Sequence, residues 1–330
     1  MNSTASPPDL SGSAGKPPKV SVALVTYNHE KFIAQAVQSV LMQKTTLPYE
    51  LVIGEDCSSD RTRAMVIDFQ REHPSVIRLI LADKNSGGME NFVRTLQACQ
   101  GQYIALLDGD DYWTDPRKLQ AQVDFLDSHP DCAFCFHNAT KVYDEEGRAP
   151  APYCSIDRAK TFTLTDLLAR NFIPTCSVML RNGLVREFPD WFQRLSIADW
   201  PLHVLVAQHG NVGYLSEVMA TYRVHGGGAW SGQSKVERLI WQLDVYRAFR
   251  AHLGPQYAGA IRAARSDCYL RLSSQYERQG DRREAKRYAV RALVAGAFQR
   301  GVDHKGLLAR AVQLYSLGPR RVARTLARML

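Results

Sequence analysis

No stretch of this 330-residue chain approaches the run of about 18 apolar residues that a membrane-spanning helix needs. Cysteine is sparse and odd in number. Seven residues scattered over the whole length give no disulfide scaffold and fit a reducing cytoplasm. The one close pair, Cys132 and Cys135 in "DCAFCFHNAT", sits in a strand-like run where a spacing of three puts the two on opposite faces. There is no second pair to complete a zinc site. The opening "MNSTASPPDLSGSAGKPP" lacks the apolar core of a secretory signal and reads as a disordered leader over 1–18. Acidic residues are scarce in the C-terminal third. From Gln233 to Leu330 there are 20 Lys/Arg against 7 Asp/Glu, a net of +13, which leaves 21 against 26, a net of −5, for residues 1–232. The overall charge of +8 therefore belongs to the last third, and a boundary is expected near residue 232, between a domain over 19–232 and a basic helical region over 233–330. With 45% hydrophobic residues the chain can bury a full core.

What is present is a strand–helix alternation, four times over. "KVSVALVTYN" predicts a strand, and "HEKFIAQAVQSVLMQ" a helix with Asn28 as its N-cap. "YELVIGED" and "SSDRTRAMVIDFQREHP" repeat the pattern with Asp60 and the serines at the helix start, followed by "VIRLILAD" and a helix "MENFVRTLQACQG" closed by Gly101. "QYIALLDGDD" and "DPRKLQAQVDFLDSHP" complete the set, with Pro116 near the first turn of the helix. Such alternation predicts an α/β fold with a largely parallel, right-handed wound sheet, which binds ligands beyond the carboxyl ends of its strands. Four polar clusters fall at those ends: Thr26-Tyr27-Asn28, Glu55-Asp56, Asp83-Lys84-Asn85 and Asp108–Asp111. Further on, "IADWPLHVLVAQHG" predicts a helix opening on Asp199, and "VGYLSEVMATYRVHGGGAWSG" a strand pair leading into a glycine-rich loop. "YLRLSSQYERQGDRREAKRYAVRAL" predicts two helices about a Gly280-Asp281 turn, similar to one tetratricopeptide unit.

Asp108 and Asp110 form a DxD pair. On an extended segment, residues two apart face the same side, so both carboxylates can point into one cleft. Mg²⁺ and Mn²⁺ favour oxygen ligands, shared between one or two carboxylates and substrate phosphates. The alternative for the same residues is a solvated turn.

Taken together, "VSVALVTYNHEKFIAQAVQSVLMQ", "ELVIGEDCSSDRT", "NSGGMENFVRTLQACQGQYIALLDGDDYWTDPRKL" and "YRVHGGGAWSG" resemble the inverting family 2 glycosyltransferases over roughly residues 19–232. The resemblance implies a GT-A fold: a Rossmann-like, mostly parallel sheet flanked by helices, here followed by a C-terminal α-helical region. It implies that Thr26, Tyr27 and Asn28 line the pocket of a nucleotide-sugar, that Asp56 accepts a hydrogen bond from the base, and that Lys84, Asn85 and Asn91 belong to the segment over ribose and diphosphate. Asp108 would then contact the ribose, Asp110 would hold Mn²⁺ or Mg²⁺ on the diphosphate, His225 would lie near that metal, and Asp199 would be the general base. Where the family often carries Glu-Asp at the base, this chain has Ala198-Asp199.

The implied activity is metal-assisted, inverting transfer from a nucleotide-sugar, a UDP-sugar, to a hydroxyl of a glycan or lipid-linked acceptor in polysaccharide or glycolipid assembly of the cell envelope. The cell compartment would be the cytoplasm, with peripheral contact to the inner face of the membrane through the basic C-terminal helices. A nucleotidyltransferase of similar fold is an alternative, although the residues after the first strand read "TYNHEKF" rather than a glycine-rich phosphate loop. A non-catalytic scaffold that binds a partner or membrane through the basic helices is another. Nucleic acid is not expected, because stacking aromatics are not interleaved with the positive charge. Structural readings stay open residue by residue: Asp199 as a helix N-cap, His225 as a loop histidine, Asp56 as a cap, Asp111 as a turn or capping residue, and Trp113, Trp191 and Trp200 as core, with Trp230 the best placed to stack on a sugar.

Overall fold

The structure, a computed structural model, describes residues 17–144, 147–156, 160–297, 299 and 302–315. The expected leader lies outside the described residues apart from Pro17 and Pro18, as does the arginine-rich "RRVARTLARML". In chain order the elements are β1 (Val20–Thr26), α1 (Ile33–Leu41), β2 (Tyr49–Glu55), α2 (Thr62–Glu72), β3 (Ile77–Leu81), α3 (Gly88–Ala98), β4 (Tyr103–Asp108), β5 (Tyr112–Trp113), α4 (Lys118–Ser128), β6 (Cys132–Tyr143), β7 (Ala151–Pro152) and β8 (Lys160–Phe162). There follow α5 (Leu164–Ala169), β9 (Met179–Arg181), α6 (Asp190–Gln193), α7 (Asp199–Val206), β10 (Asn211–Val224), α8 (Lys235–His252), α9 (Ala258–Arg278), α10 (Arg282–Gly296) and α11 (His304–Tyr315). They gather into two compact units. The first comprises the described parts of Met1–Phe162, Ile173–Phe188 and Val206–Arg223, and the second those of Thr163–Phe172, Pro189–Leu205 and Val224–Leu330.

The first unit is built on a sheet in the order β3-β2-β1-β4-β9-β6-β10-β5, with β7 added to β6 and β8 to β10. β1 pairs in parallel with β2 and β4, and β2 in parallel with β3. Near-continuous apolar runs such as "VSVALVT" are what a strand covered on both faces requires, and six of its seven residues are buried. Beyond β4 the sheet turns antiparallel through β9, because the strand–helix alternation that demands right-handed crossovers stops after α4. Register places the site. Thr26 lies level with Glu55, Val25 with Asp108 and Glu55 with Leu81, so four carboxyl ends share one edge of the sheet.

Three local expectations are corrected. Asn28 does not cap α1, which starts five residues later at Ile33. Instead Asn28 adopts a left-handed φ of 54°, donates its N–H to Ser58 Oγ (2.9 Å) and accepts from the Ser59 N–H (2.9 Å). It ties the end of β1 to the loop after β2. Gly101 does not close α3, whose last turn ends at the extended Cys99. A Cβ at Gly101 would come within 2.4 Å of the Ser21 backbone nitrogen, so the glycine is there for a close crossing over β1. The expected strand pair after Gly210 is a single strand of 14 residues, β10.

The second unit is helical. Trp200 of α7 meets Tyr246 and Phe249 of α8 edge-on at 5.0 and 5.5 Å, and its indole N–H donates to the Leu167 carbonyl at 2.8 Å. α9 and α10 form a hairpin about Gly280 (φ 82°), with Asp281 accepting from the Glu284 N–H to cap α10. Small residues let the two helices approach closely: Ser273 Oγ donates to the Ala285 carbonyl and Ser266 Oγ to that of Ala292. No helix among the described residues is long and apolar enough to cross a membrane.

Candidate active site

Asp108, the last residue of β4, begins a tight turn in which the Asp111 N–H donates back to the Asp108 carbonyl at 3.0 Å. The turn brings one carboxylate oxygen of each of Asp108, Asp110 and Asp111 within 4.8 Å of the others. Asp111 is buried. One of its oxygens accepts from the Arg223 N–H of β10 at 2.8 Å, while its other oxygen, Oδ2, has no hydrogen-bond partner among the described residues. Burial, and then the neighbouring Asp110 and Asp108, push its carboxyl well above the usual range; the Arg223 N–H and, after it, the Cys176 thiol oppose this. An orphaned buried oxygen in a cluster of oxygen donors is the environment a hard divalent cation fits.

Around this cluster the strand ends supply neighbours. Gly109 donates its N–H to the Val25 carbonyl at 2.8 Å, which draws Asp108 and Asp110 against β1. The Thr26 hydroxyl lies 3.2 Å from His29 Nδ1, and His29 Nε2 lies 3.9 Å from an Asp110 oxygen. A side chain at Gly109 would put its Cβ 2.6 Å from Thr26 Oγ1 and 2.8 Å from His29 Nδ1. Gly109→Ala is therefore expected to displace both, at a cost of about 1–3 kcal/mol. The drop in melting temperature of the purified variant checks it, and an unchanged melt would mean the turn can move away.

Asp56 is buried at the end of β2 and grips the next loop. One oxygen accepts from the Ser86 N–H (2.9 Å) and hydroxyl (2.7 Å), the other from the Gly87 N–H (2.9 Å). Asn85 accepts from the same Gly87 N–H at 3.0 Å, and Lys84 is exposed beside it. Tyr27 stands 42% exposed past the end of β1. Asn91 is set apart from these: it is buried on α3, donates to the Gly54 carbonyl at 2.9 Å and accepts from Arg94. Left-handed backbone at two non-glycine residues, Asn28 and Cys57 (φ 59°), marks the strand ends on either side.

Two residues of this edge had no role assigned from the sequence. His29 sits in "TYNHEKF", where it reads as the start of a helix. Arg223 lies within the quoted "YRVHGG", and only the pairing of the Asp111 turn with β10 shows that its guanidinium donates to the Asp110 carbonyl and to Gln35. The same guanidinium covers the rings of Tyr112 (4.5 Å) and Phe32 (5.1 Å).

Asp199 and His225 belong to the second unit. Asp199 is the first residue of α7 and accepts from the Asn171 side-chain amide at 2.9 Å. One turn on, burial pushes the imidazole of His203 down to about 4, an effect that Asp199 partly offsets. The buried His225 opens the glycine-rich loop, its carbonyl accepting from the Ser231 hydroxyl at 2.7 Å. Trp113 and Trp200 are core residues; Trp230 in that loop is partly exposed.

Behind the acidic turn lies a fully buried lysine. Lys118 Nζ donates to Gln122 Oε1 at 2.6 Å and stands 4.0 Å over the Trp113 ring. Burial pushes its amine down to about 7. The unfolded lysine titrates near 10.4, so between pH 7 and 10 the unfolded chain binds the extra proton and stability from this group rises with pH. Above about pH 9 the buried Cys135 thiol, pushed up to about 12, works in the opposite direction. Lys118→Met is expected to be more stable than the native chain at pH 6.5 and to lose part of the rise in stability towards pH 8.5. Urea unfolding at the two pH values checks it; a parallel shift at both would deny the titration.

An open α/β sheet carrying a three-carboxylate cluster beside the first strand's end defines the GT-A class of fold. Residues 21–186 match the family described as "Glycosyl transferase family 2", and the chain belongs to it. An uncharacterized protein of Mycobacterium tuberculosis is 36% identical over 223 residues, 68% of this chain; the match spans 64% of that relative's own length. Among solved structures, a mannosyltransferase from Pyrobaculum calidifontis in complex with GDP-Man and Mn²⁺ superposes with a TM-score of 0.57 at 17% identity, covering 94% of this chain and 84% of that one. TarS of S. aureus, residues 1–349 in complex with UDP-GlcNAc, gives 0.55 at 19% identity, covering 87% and 95%.

Proposed function

We propose that the protein is a glycosyltransferase that moves a sugar, with inversion, from a nucleotide-sugar to a hydroxyl of a glycan or lipid-linked acceptor in polysaccharide or glycolipid assembly. The observation that carries this reading is the cluster of Asp108, Asp110 and Asp111, three carboxylates forced together at the carboxyl edge of a parallel sheet with one buried oxygen left unpartnered. Asp110, with His225, would hold Mn²⁺ or Mg²⁺, which supplies Lewis-acid neutralisation of the leaving diphosphate. Asp108 faces the ribose. Tyr27 offers an exposed ring to the base, with Thr26 and Asn28 shaping the floor beneath it. Asp56 acts through the loop it holds, presenting Lys84 and Asn85 to the donor, and Asn91 anchors the helix that follows. Asp199 takes the proton from the attacking hydroxyl, its carboxylate steered by Asn171.

A UDP-sugar is the donor we favour, supported by the UDP-GlcNAc complex of TarS; the GDP-Man complex of the mannosyltransferase makes a guanosine donor the comparison to run. The setting would be the cytoplasm, with the basic helices against the inner face of the membrane. A thermal-shift screen of UDP-, GDP- and dTDP-sugars with Mn²⁺ or Mg²⁺ tests the reading. A ligand at a hundred times its Kd stabilises by about 2.7 kcal/mol, an easily read shift. Absence of a shift with every nucleotide-sugar, with either metal, would sink it.

A further inference from the structure

Within the second unit, α8 and α9 border an open groove of about 470 Å³ that none of the residues proposed for donor, metal or proton transfer lines. α8 contributes Lys235, Arg238 and Leu239, at positions three and four apart that share a helix face, and α9 contributes Arg271 and Arg278 two turns apart. Trp230 also lines the groove, with the Arg238 guanidinium 5.6 Å from its ring and the Trp241 ring 6.2 Å away. Among the described residues, none that lines the groove is acidic. Arg271 is balanced by Asp267 at 2.7 Å, whereas among the described residues no carboxylate is paired with Lys235, Arg238 or Arg278. Between the cations the walls carry amides and a hydroxyl, from Gln242, Gln275 and Ser274.

Three features then have to be met by one ligand. Unpaired cations ask for anionic groups spaced along it, neutral donors and acceptors ask for hydroxyls, and a partly exposed indole asks for a flat face to stack on. A bilayer surface satisfies the first, but it brings no row of hydroxyls to the side-chain amides of Gln242 and Gln275 and the hydroxyl of Ser274. An anionic glycan satisfies all three. We propose that this groove binds a segment of an acidic glycan, with its carboxylates or phosphates on Lys235, Arg238 and Arg278 and a sugar ring on Trp230. The groove is thereby an acceptor-binding subsite, a role that rests on the transferase reading; the binding itself does not.

The test is titration of the full chain, by tryptophan fluorescence and calorimetry, with a galacturonate pentamer, a glycerol-phosphate oligomer of similar length and neutral maltopentaose. At least one of the two acidic oligomers is expected to bind about tenfold or more tightly than maltopentaose and to weaken steeply as salt is raised; which of them does so tells carboxylate from phosphate. Arg238→Glu, at a half-buried position, and Arg278→Glu, at an exposed one, are expected to lower that affinity by about tenfold each. Their melting temperature and their affinity for the nucleotide-sugar should stay unchanged. Failure of both acidic oligomers to bind the native chain overturns the proposal, as does binding that the two variants leave intact. Equal loss of binding to phosphatidylglycerol vesicles in these variants, with no preference for the glycan, would make the groove a membrane contact and overturn it too. A chain that binds acidic oligomers here but no nucleotide-sugar would retain the groove and lose the transferase reading instead.

Discussion

Asp110→Asn is expected to abolish metal-dependent nucleotide-sugar binding and to lower transfer by on the order of 10³-fold, while the fold survives. The size follows from what the metal contributes: several kcal/mol of charge stabilisation on the leaving diphosphate, at about 1.4 kcal/mol per factor of ten. An amide keeps the shape but halves the oxygen donors and removes the charge. Relief of repulsion in a cluster whose oxygens lie within 4.8 Å of one another should, if anything, raise the melting temperature in the absence of metal. Calorimetric titration of Mn²⁺ and UDP into the native and variant chains reads both effects. Equal Mn²⁺-dependent binding by the two would remove Asp110 from the metal site. His29, 3.9 Å from Asp110, is then the next residue to examine, because its imidazole would gain or lose a neighbouring anion in the same experiment.

Asp199→Asn should act on turnover rather than on binding. A general base typically contributes about 10²–10⁴-fold, so kcat is expected to fall by that much with the KM for the donor nearly unchanged. The competing role is structural. Asp199 opens α7, where a carboxylate favours the helix dipole by about 0.3–1 kcal/mol, and an asparagine there retains part of that effect. A variant with a lowered melting temperature but native kcat would make Asp199 a helix-start residue and nothing more. Asn171→Ala separates the two roles further. It removes the hydrogen bond at 2.9 Å that orients the carboxylate, so it should lower kcat and shift its pH profile while leaving the start of α7 intact.

Much of the architecture was legible because it rests on short-range rules. The apolar runs of β1, β2, β3 and β4 and the helical spacings between them lie within a few residues of one another, and parallel pairing then brings the ends of consecutive strands to one edge. The clusters at Thr26, Asp56 and Asp108 are assigned to that edge by the order of the residues alone. Local rules failed where a local signal was outbid by a distant one. Asn28 has the chemistry of an N-cap, but Ser58 and Ser59 claimed it. Gly101 has the look of a helix stop, but the backbone of Ser21 needed the space.

The sequence by itself determined the class of fold, the edge at which chemistry is possible and the presence there of a DxD pair, because strand and helix periodicity and the carboxyl-end rule follow from the residues in order. Membership of glycosyl transferase family 2 follows from the same motifs. Only the tertiary structure decided that Asp111 is sunk while Asp108 and Asp110 stay half-buried. Asp111 accepts from the backbone N–H of Arg223, 112 residues away, and the site's guanidinium arrives with that residue. The buried Lys118 and the cationic groove between α8 and α9 have the same origin. Desolvation and convergence of charge depend on which segments meet, and a side chain's neighbours along the chain carry no record of that meeting.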